Sequence, residues 1–153
     1  MNYKKLIFSL AVPLLVGGIS VLITRNSIEA FESLIKPPFA PPAWIFGPVW
    51  TVLYLLMGIS LYRVLKEKDS DIQKALILFG VQLFLNFIWS PVFFIFNLRL
   101  LAFIIILILI VFVILTAKNF YKVDKLSGLL FIPYIIWLVF ASILNLSIYL
   151  LNR

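Results

Sequence analysis

The chain has 153 residues, of which 64% are apolar, 16% aromatic and only 12% charged, and its mean hydropathy is +1.16. So little polar material cannot cover a soluble globule of this size, and the composition is that of an integral membrane protein. Cysteine and histidine are absent, which excludes disulfides, thiolate nucleophiles, imidazole metal ligands and histidine general bases, and the formal charge of +7 sits on Lys and Arg at the ends of apolar runs, as anchors do, rather than along one face as nucleic acid would require.

In chain order, Lys4 and Lys5 precede an apolar run over residues 6–24, interrupted only by Pro13 and the Gly17-Gly18 pair. A secretory h-region is about 7–15 residues long and ends at small residues. This run is longer and ends at Thr24-Arg25-Asn26, so it is expected to be a retained first transmembrane helix. Residues 25–42 form a polar connection in which Ile28, Phe31 and Leu34 share one face of a short amphipathic turn, suited to lie on the membrane surface or to fold over the bundle.

Residues 36–50, KPPFAPPAWIFGPVW, hold five of the eight prolines and two of the four tryptophans. Each proline lacks the N–H that a backbone ladder needs and biases the residue before it away from the helical region. Pro41-Pro42 therefore suits the start of a helix, the second span runs over residues 43–64, and Pro48 is a first-turn or kink residue that aims Trp50 inward. Trp44 is expected in an interfacial belt.

Asp69-Ser70-Asp71 offers helix-start carboxylates and a cap to a third span over residues 72–96. A turn at Asn97-Leu98-Arg99 leads to a fourth span over residues 100–117, apolar all round and free of Gly and Pro, to which we assign the largest lipid exposure. Lys118, Lys122 and Lys125 form a basic loop, and the fifth span runs over residues 127–151. The expectation is an all-α membrane protein, a single domain over residues 1–153 built as a five-helix transmembrane bundle. Barrel strands would alternate in polarity over about ten residues, whereas these runs are continuously apolar for about 20. The chain shows no internal repeat of the kind many transporters carry.

Nine of the 13 cations (Lys4, Lys5, Arg63, Lys66, Lys68, Lys74, Lys118, Lys122, Lys125) fall on the side of the amino terminus, and four (Arg25, Lys36, Arg99, Arg153) on the other. In a bacterial plasma membrane the positive-inside rule puts the amino terminus in the cytoplasm and the proline-rich loop outside. All six carboxylates lie in loops, so no buried-carboxylate relay can be assembled and neither a catalytic residue, a metal site nor a required cofactor is expected.

What the membrane interior offers is rings, amides and small residues. Gln82, Asn86 and either Trp89 or Ser90 share one face of the third span, suited equally to interhelical hydrogen bonds and to a ligand, and Pro91 frees a backbone carbonyl near Phe87. Pro133, Trp137, Ala141 and Asn145 repeat every four residues on the fifth span, and Gly47, Trp50, Tyr54 and Gly58 form a comparable face on the second. A pocket lined by such faces, without an ionised group, suits a large flat apolar molecule with a few polar edges, a porphyrin or a sterol.

These residues carry a resemblance. The Lys36-Pro37 and Pro41-Pro42 pairs, FGPVWTVLYLLMG at 46–58, LNFIWSPVFF at 85–94 and PYIIWLVFASILN at 133–145 resemble the TspO/MBR family, the tryptophan-rich sensory proteins and mitochondrial translocator proteins also called peripheral benzodiazepine receptors. The resemblance implies a homodimer that binds porphyrins such as protoporphyrin IX or haem between its helices and beneath the first loop, acting as sensor, scavenger or transporter. It also implies binding of cholesterol-like sterols and benzodiazepine-type drugs, and in some bacterial relatives light-dependent porphyrin breakdown. Carried over by motif, the pocket would comprise Trp50, Tyr54, Asn86, Trp89, Ser90, Trp137 and Ala141, with Ala141 the small position against which a ring plane can lie. Phe31, Lys36, Pro37, Phe39, Pro41 and Pro42 would form a lid. Where the family commonly has Trp-Tyr before the Lys-Pro, this chain has Ala30-Phe31. Leu146, Tyr149 and Arg153 match a sterol pattern attributed to some relatives, though any helix ending apolar-Tyr-Arg at an interface would match. A photo-oxidative enzyme and a small-solute transporter remain alternatives to the binding protein.

Overall fold

The computed structural model describes residues 2–68 and 72–153. The described residues form an all-helical chain with five helical stretches long and apolar enough to cross a membrane. The cap expected at Asp69-Ser70-Asp71 lies outside the described residues.

The first span is α1 (Tyr3–Thr24), capped by the Asn2 side chain, which accepts from the Lys5 N–H at 3.2 Å. It does not stop at a polar loop. A single 3₁₀ turn (Arg25–Ser27) carries it into α2 (Ile28–Glu32), so the front of the connection is helical and folds over the bundle. The second span opens with a 3₁₀ turn (Ala43–Ile45) whose N-cap is Pro42, and continues as α3 (Phe46–Leu65). The double proline therefore does what its missing N–H groups permit, beginning a helix where no intrahelical acceptor exists.

The third span, α4 (Ile72–Phe94), ends two residues short of expectation, because Asn97 adopts a left-handed conformation at φ 55° and the Leu98 N–H turns back to the Val92 carbonyl at 3.0 Å. Asparagine tolerates that conformation better than most residues. The fourth span, α5 (Arg99–Val123), starts one residue earlier and ends six residues later than expected, so Lys118 and Lys122 are helical rather than parts of a loop. Their stems can follow the helix while their charges reach water. The fifth span is two helices, α6 (Lys125–Leu129) and α7 (Ile132–Leu151), interrupted just before Pro133, which has no N–H to give the Leu129 carbonyl.

α1 packs on α3 and α4, α4 on α5, and α5 on α6 and α7. Two glycines set the first of these contacts. A Cβ on Gly58 would stand 2.8 Å from Leu10 Cα and 2.9 Å from the Ser9 carbonyl, and a Cβ on Gly17 would strike the Tyr54 ring. The expectation of greatest lipid exposure for the fourth span is corrected: α5 buries Ala102, Ile106, Leu109, Val113 and Phe120 on one face, and the first span is the less buried of the two. An apolar surface all round hides which face is packed, whereas the glycines and Pro13 of α1 mark only a narrow packed strip.

The two ends of the bundle are held differently. At one end Arg63 of α3 makes a two-point ion pair with Asp124 (2.7 and 3.2 Å), and Asp124 caps α6 by accepting from the Ser127 N–H and hydroxyl at 3.1 and 2.7 Å. Ser60 donates to the Ser127 carbonyl at 2.6 Å beside them, and Lys5 reaches the Leu65 carbonyl at 3.3 Å. At the other end Asn152 holds the first loop: its side chain accepts from the Ile35 N–H at 3.0 Å and donates to the Ile35 carbonyl at 2.7 Å.

Candidate functional site

Beneath the first loop, α1, α3, α4 and α7 enclose a cavity of about 470 Å³. Helical periodicity explains which residues reach it. Trp50 and Tyr54 are one turn apart on α3, Asn86, Trp89 and Ser90 fall on one face of α4, and Trp137, Ala141 and Asn145 recur every four residues on α7.

The aromatic and amide side chains among these are held by one another. Trp50 stacks on Tyr54 (centroids 5.6 Å apart, planes at 29°) and meets Trp137 edge-on at 6.4 Å and 90°. The Tyr54 hydroxyl donates to Asn86 Oδ1 at 2.8 Å, Asn86 Nδ2 donates to the Tyr134 hydroxyl at 2.7 Å, and that hydroxyl donates to Gln82 Oε1 at 3.0 Å. This chain links α3, α4 and α7 through neutral groups alone. Closer to the loop, Trp89 Nε1 donates to Asn145 Oδ1 at 3.0 Å, and Asn145 Nδ2 donates to the Arg99 carbonyl at 2.9 Å. Trp137 Nε1, by contrast, is buried and has no hydrogen-bond partner among the described residues.

The structure brings all seven expected pocket residues, Trp50, Tyr54, Asn86, Trp89, Ser90, Trp137 and Ala141, to the cavity wall. Gln82 is fully buried in the network behind the wall and does not line the cavity, so the structural alternative weighed for that face describes it, while Asn86 belongs to both network and wall. Gly58 and Pro133 likewise stay off the cavity, Gly58 against α1 and Pro133 exposed at the start of α7.

Of the six lid residues, Phe31 alone lines the cavity, and its buried ring packs against Phe46, Phe93 and Phe94 at centroid distances of 6.5, 6.0 and 5.3 Å. Lys36 places its ammonium 4.9 Å from that ring and donates to the Glu32 carbonyl at 3.0 Å. Lys36, Pro37, Phe39, Pro41 and Pro42 build the loop without reaching the cavity. Ala30 is exposed beside the buried Phe31. Leu146, Tyr149 and Arg153 also lie off the cavity wall, and Arg153 is exposed.

Sequence reasoning missed the contribution of α1. Leu14, Gly17, Ser20 and Thr24 face the cavity, and the available signal was the small-polar spacing of Gly17, Ser20 and Thr24 at i, i+3 and i+7. Phe46, Phe93 and Phe94 were also missed, because phenylalanine is common on lipid-facing surfaces.

Fold and site together define an integral, multi-pass membrane protein that carries an aromatic-walled cavity between its helices. The sequence profile of the TspO/MBR family matches residues 9–151. The chain is 40% identical over 153 residues to a tryptophan-rich protein TspO of Archaeoglobus fulgidus, covering 99% of each. It is 40% identical over 125 residues to the protein CrtK of Rhodobacter capsulatus (80% of this chain, 78% of that one), and 35% identical over 135 residues to the human translocator protein (85% and 79%). The chain belongs to the TspO/MBR family.

Proposed function

We propose that the cavity binds a tetrapyrrole, protoporphyrin IX or haem, and that the protein serves as a porphyrin sensor, scavenger or transporter. The observation that carries the reading is a cavity of about 470 Å³ whose wall joins Trp50, Trp89 and Trp137 to neutral polar groups. Its volume falls within the roughly 300–1,000 Å³ of small-molecule sites. The right angle between Trp50 and Trp137 makes a corner in which a flat macrocycle stacks on one ring and abuts the other. Ala141 leaves room for the plane to lie against α7. A sterol, flat and apolar with one hydroxyl, is the competing occupant. The name translocator protein, borne by the human relative, accords with a transporter role. The proposed setting is a bacterial plasma membrane, with the amino terminus cytoplasmic and the protein a homodimer.

Titration of the purified protein with protoporphyrin IX tests the reading through quenching of tryptophan fluorescence. Trp137→Phe and Ala141→Thr are each expected to weaken binding about tenfold. Quenching unchanged in both variants overturns the site.

A second reading, light-dependent porphyrin breakdown, draws on the oxidisable rings in contact at the wall: Trp50 lies 5.6 Å from Tyr54 and 6.2 Å from Tyr134 between centroids. The macrocycle and oxygen would carry that chemistry, with the rings as electron donors. Illumination of the complex with no absorbance change beyond that of free porphyrin dismisses it.

A further inference from the structure

The cavity wall is closed along α4 and α7, whose lining residues are all buried or half-buried. Its exposed lining residues are Gly18 and Val21 of α1, Ile28 of α2, Ala43 of the 3₁₀ turn before α3, and Gly47 and Thr51 of α3, all on the α1–α3 side. These two helices are tightly joined where Gly58 meets Leu10 and Gly17 meets Tyr54. Toward the first loop the seam loosens: a Cβ on Gly18 or on Gly47 would meet nothing within 4 Å among the described residues. The result is a slot through a part of the wall that faces lipid, because both segments belong to membrane-spanning stretches.

The loop end of the cavity is fastened. Asn152 makes its two hydrogen bonds to the Ile35 backbone, and Phe31 is buried among three other phenylalanine rings. Passage beneath the loop would break both bonds and expose that ring, whereas passage through the slot displaces only lipid tails. The apolar ring of a porphyrin also favours the bilayer, where its faces are withdrawn from water.

We infer that the ligand enters and leaves sideways, from the bilayer through the slot between α1 and α3, so that the protein samples molecules dissolved in lipid rather than in water. The inference rests on the tetrapyrrole reading only for the choice of porphyrin as a probe. Two rates in proteoliposomes test it. One is labelling of Ser90→Cys, a cavity-wall thiol in a chain that has no other cysteine, by the lipid-soluble N-(1-pyrenyl)maleimide. The other is the onset of tryptophan quenching by protoporphyrin IX.

Gly18→Phe, and independently Gly47→Leu in case one variant fails to fold, should slow both rates about tenfold, while Asn152→Ala should leave them within about twofold. Acceleration by Asn152→Ala, with both slot variants unaffected, overturns the inference in favour of the loop. Labelling that follows the expected pattern while protoporphyrin fails to bind upholds the slot and removes the tetrapyrrole reading. Porphyrin binding whose rate ignores both slot variants removes the slot and leaves the tetrapyrrole reading standing.

Discussion

Tyr134 shows how a single side chain links three helices. It is almost wholly buried, accepts from Asn86 and donates to Gln82, and through Asn86 it connects to Tyr54. Hydrogen bonds between transmembrane helices average about 0.6 kcal/mol, because partners are also found before assembly. Tyr134→Phe differs from that average case in stranding two buried partners at once, Asn86 Nδ2 and Gln82 Oε1. The expected loss is about 1–3 kcal/mol, read from thermal unfolding in detergent, and Tyr54→Phe, which strands only Asn86 Oδ1, should lose less. Asp124 makes the electrostatic counterpart. The hydrogen bond from Arg63 holds its carboxyl at about 2, below the ordinary 3.8, with the Ser127 hydroxyl and N–H adding to the effect. A carboxylate whose folded pKa is depressed contributes stability above its unfolded pKa and loses it as pH falls through the folded one. The stability gap between the wild type and Asp124→Asn should therefore be constant above about pH 4 and narrow between about pH 4 and pH 2. A gap that is independent of pH across that window would show that the carboxylate charge contributes nothing.

At the scale of elements, the α1–α3 seam depends on two backbones approaching closely. Gly58 faces Leu10 Cα and the Ser9 carbonyl, atoms of a helix backbone that cannot move aside, while Gly80 of α4 has nothing within 4 Å of a Cβ position. Gly58→Ala should lower stability by about 1–3 kcal/mol through overpacking, and Gly80→Ala should leave it unchanged or raise it slightly, since alanine is the better helix former. In the sequence Gly58 stands out on the face it shares with Gly47, Trp50 and Tyr54, whereas its contact is with α1 rather than with the cavity. Helix existence and most boundaries were legible because long apolar runs between charged residues admit one reading in a membrane. The misjudged ends are those where charged residues continue a helix, as Lys118 and Lys122 do, where a left-handed residue stops one early, as Asn97 does, or where a proline divides one, as Pro133 does. The face that each helix turns inward was legible where it carried rings and amides, on α3, α4 and α7. It was not legible on α1, whose cavity residues are small, nor on α5, whose packed and lipid-facing residues are chemically alike.

For the whole molecule, side-chain contacts sort the chain termini and loops into two ends. Lys5 with Leu65 and Arg63 with Asp124 mark one end, while Ile35 with Asn152 and Arg99 with Asn145 mark the other. The first end carries nine of the 13 cations, a grouping predicted from the order of the spans and upheld by these contacts. The positive-inside rule predicts that the basic end faces the cytoplasm. The absence of cysteine makes the test clean. Ala30 and Lys122 are exposed at opposite ends, so single cysteines at these positions report one side each. In intact cells a membrane-impermeant maleimide should label Ala30→Cys and spare Lys122→Cys until the membrane is permeabilised. The reverse pattern would place the fastened loop, and the loop end of the cavity with it, in the cytoplasm. The slot between α1 and α3 would open to lipid in either orientation, so a reversed result would change which leaflet supplies the ligand and leave the route itself unaltered.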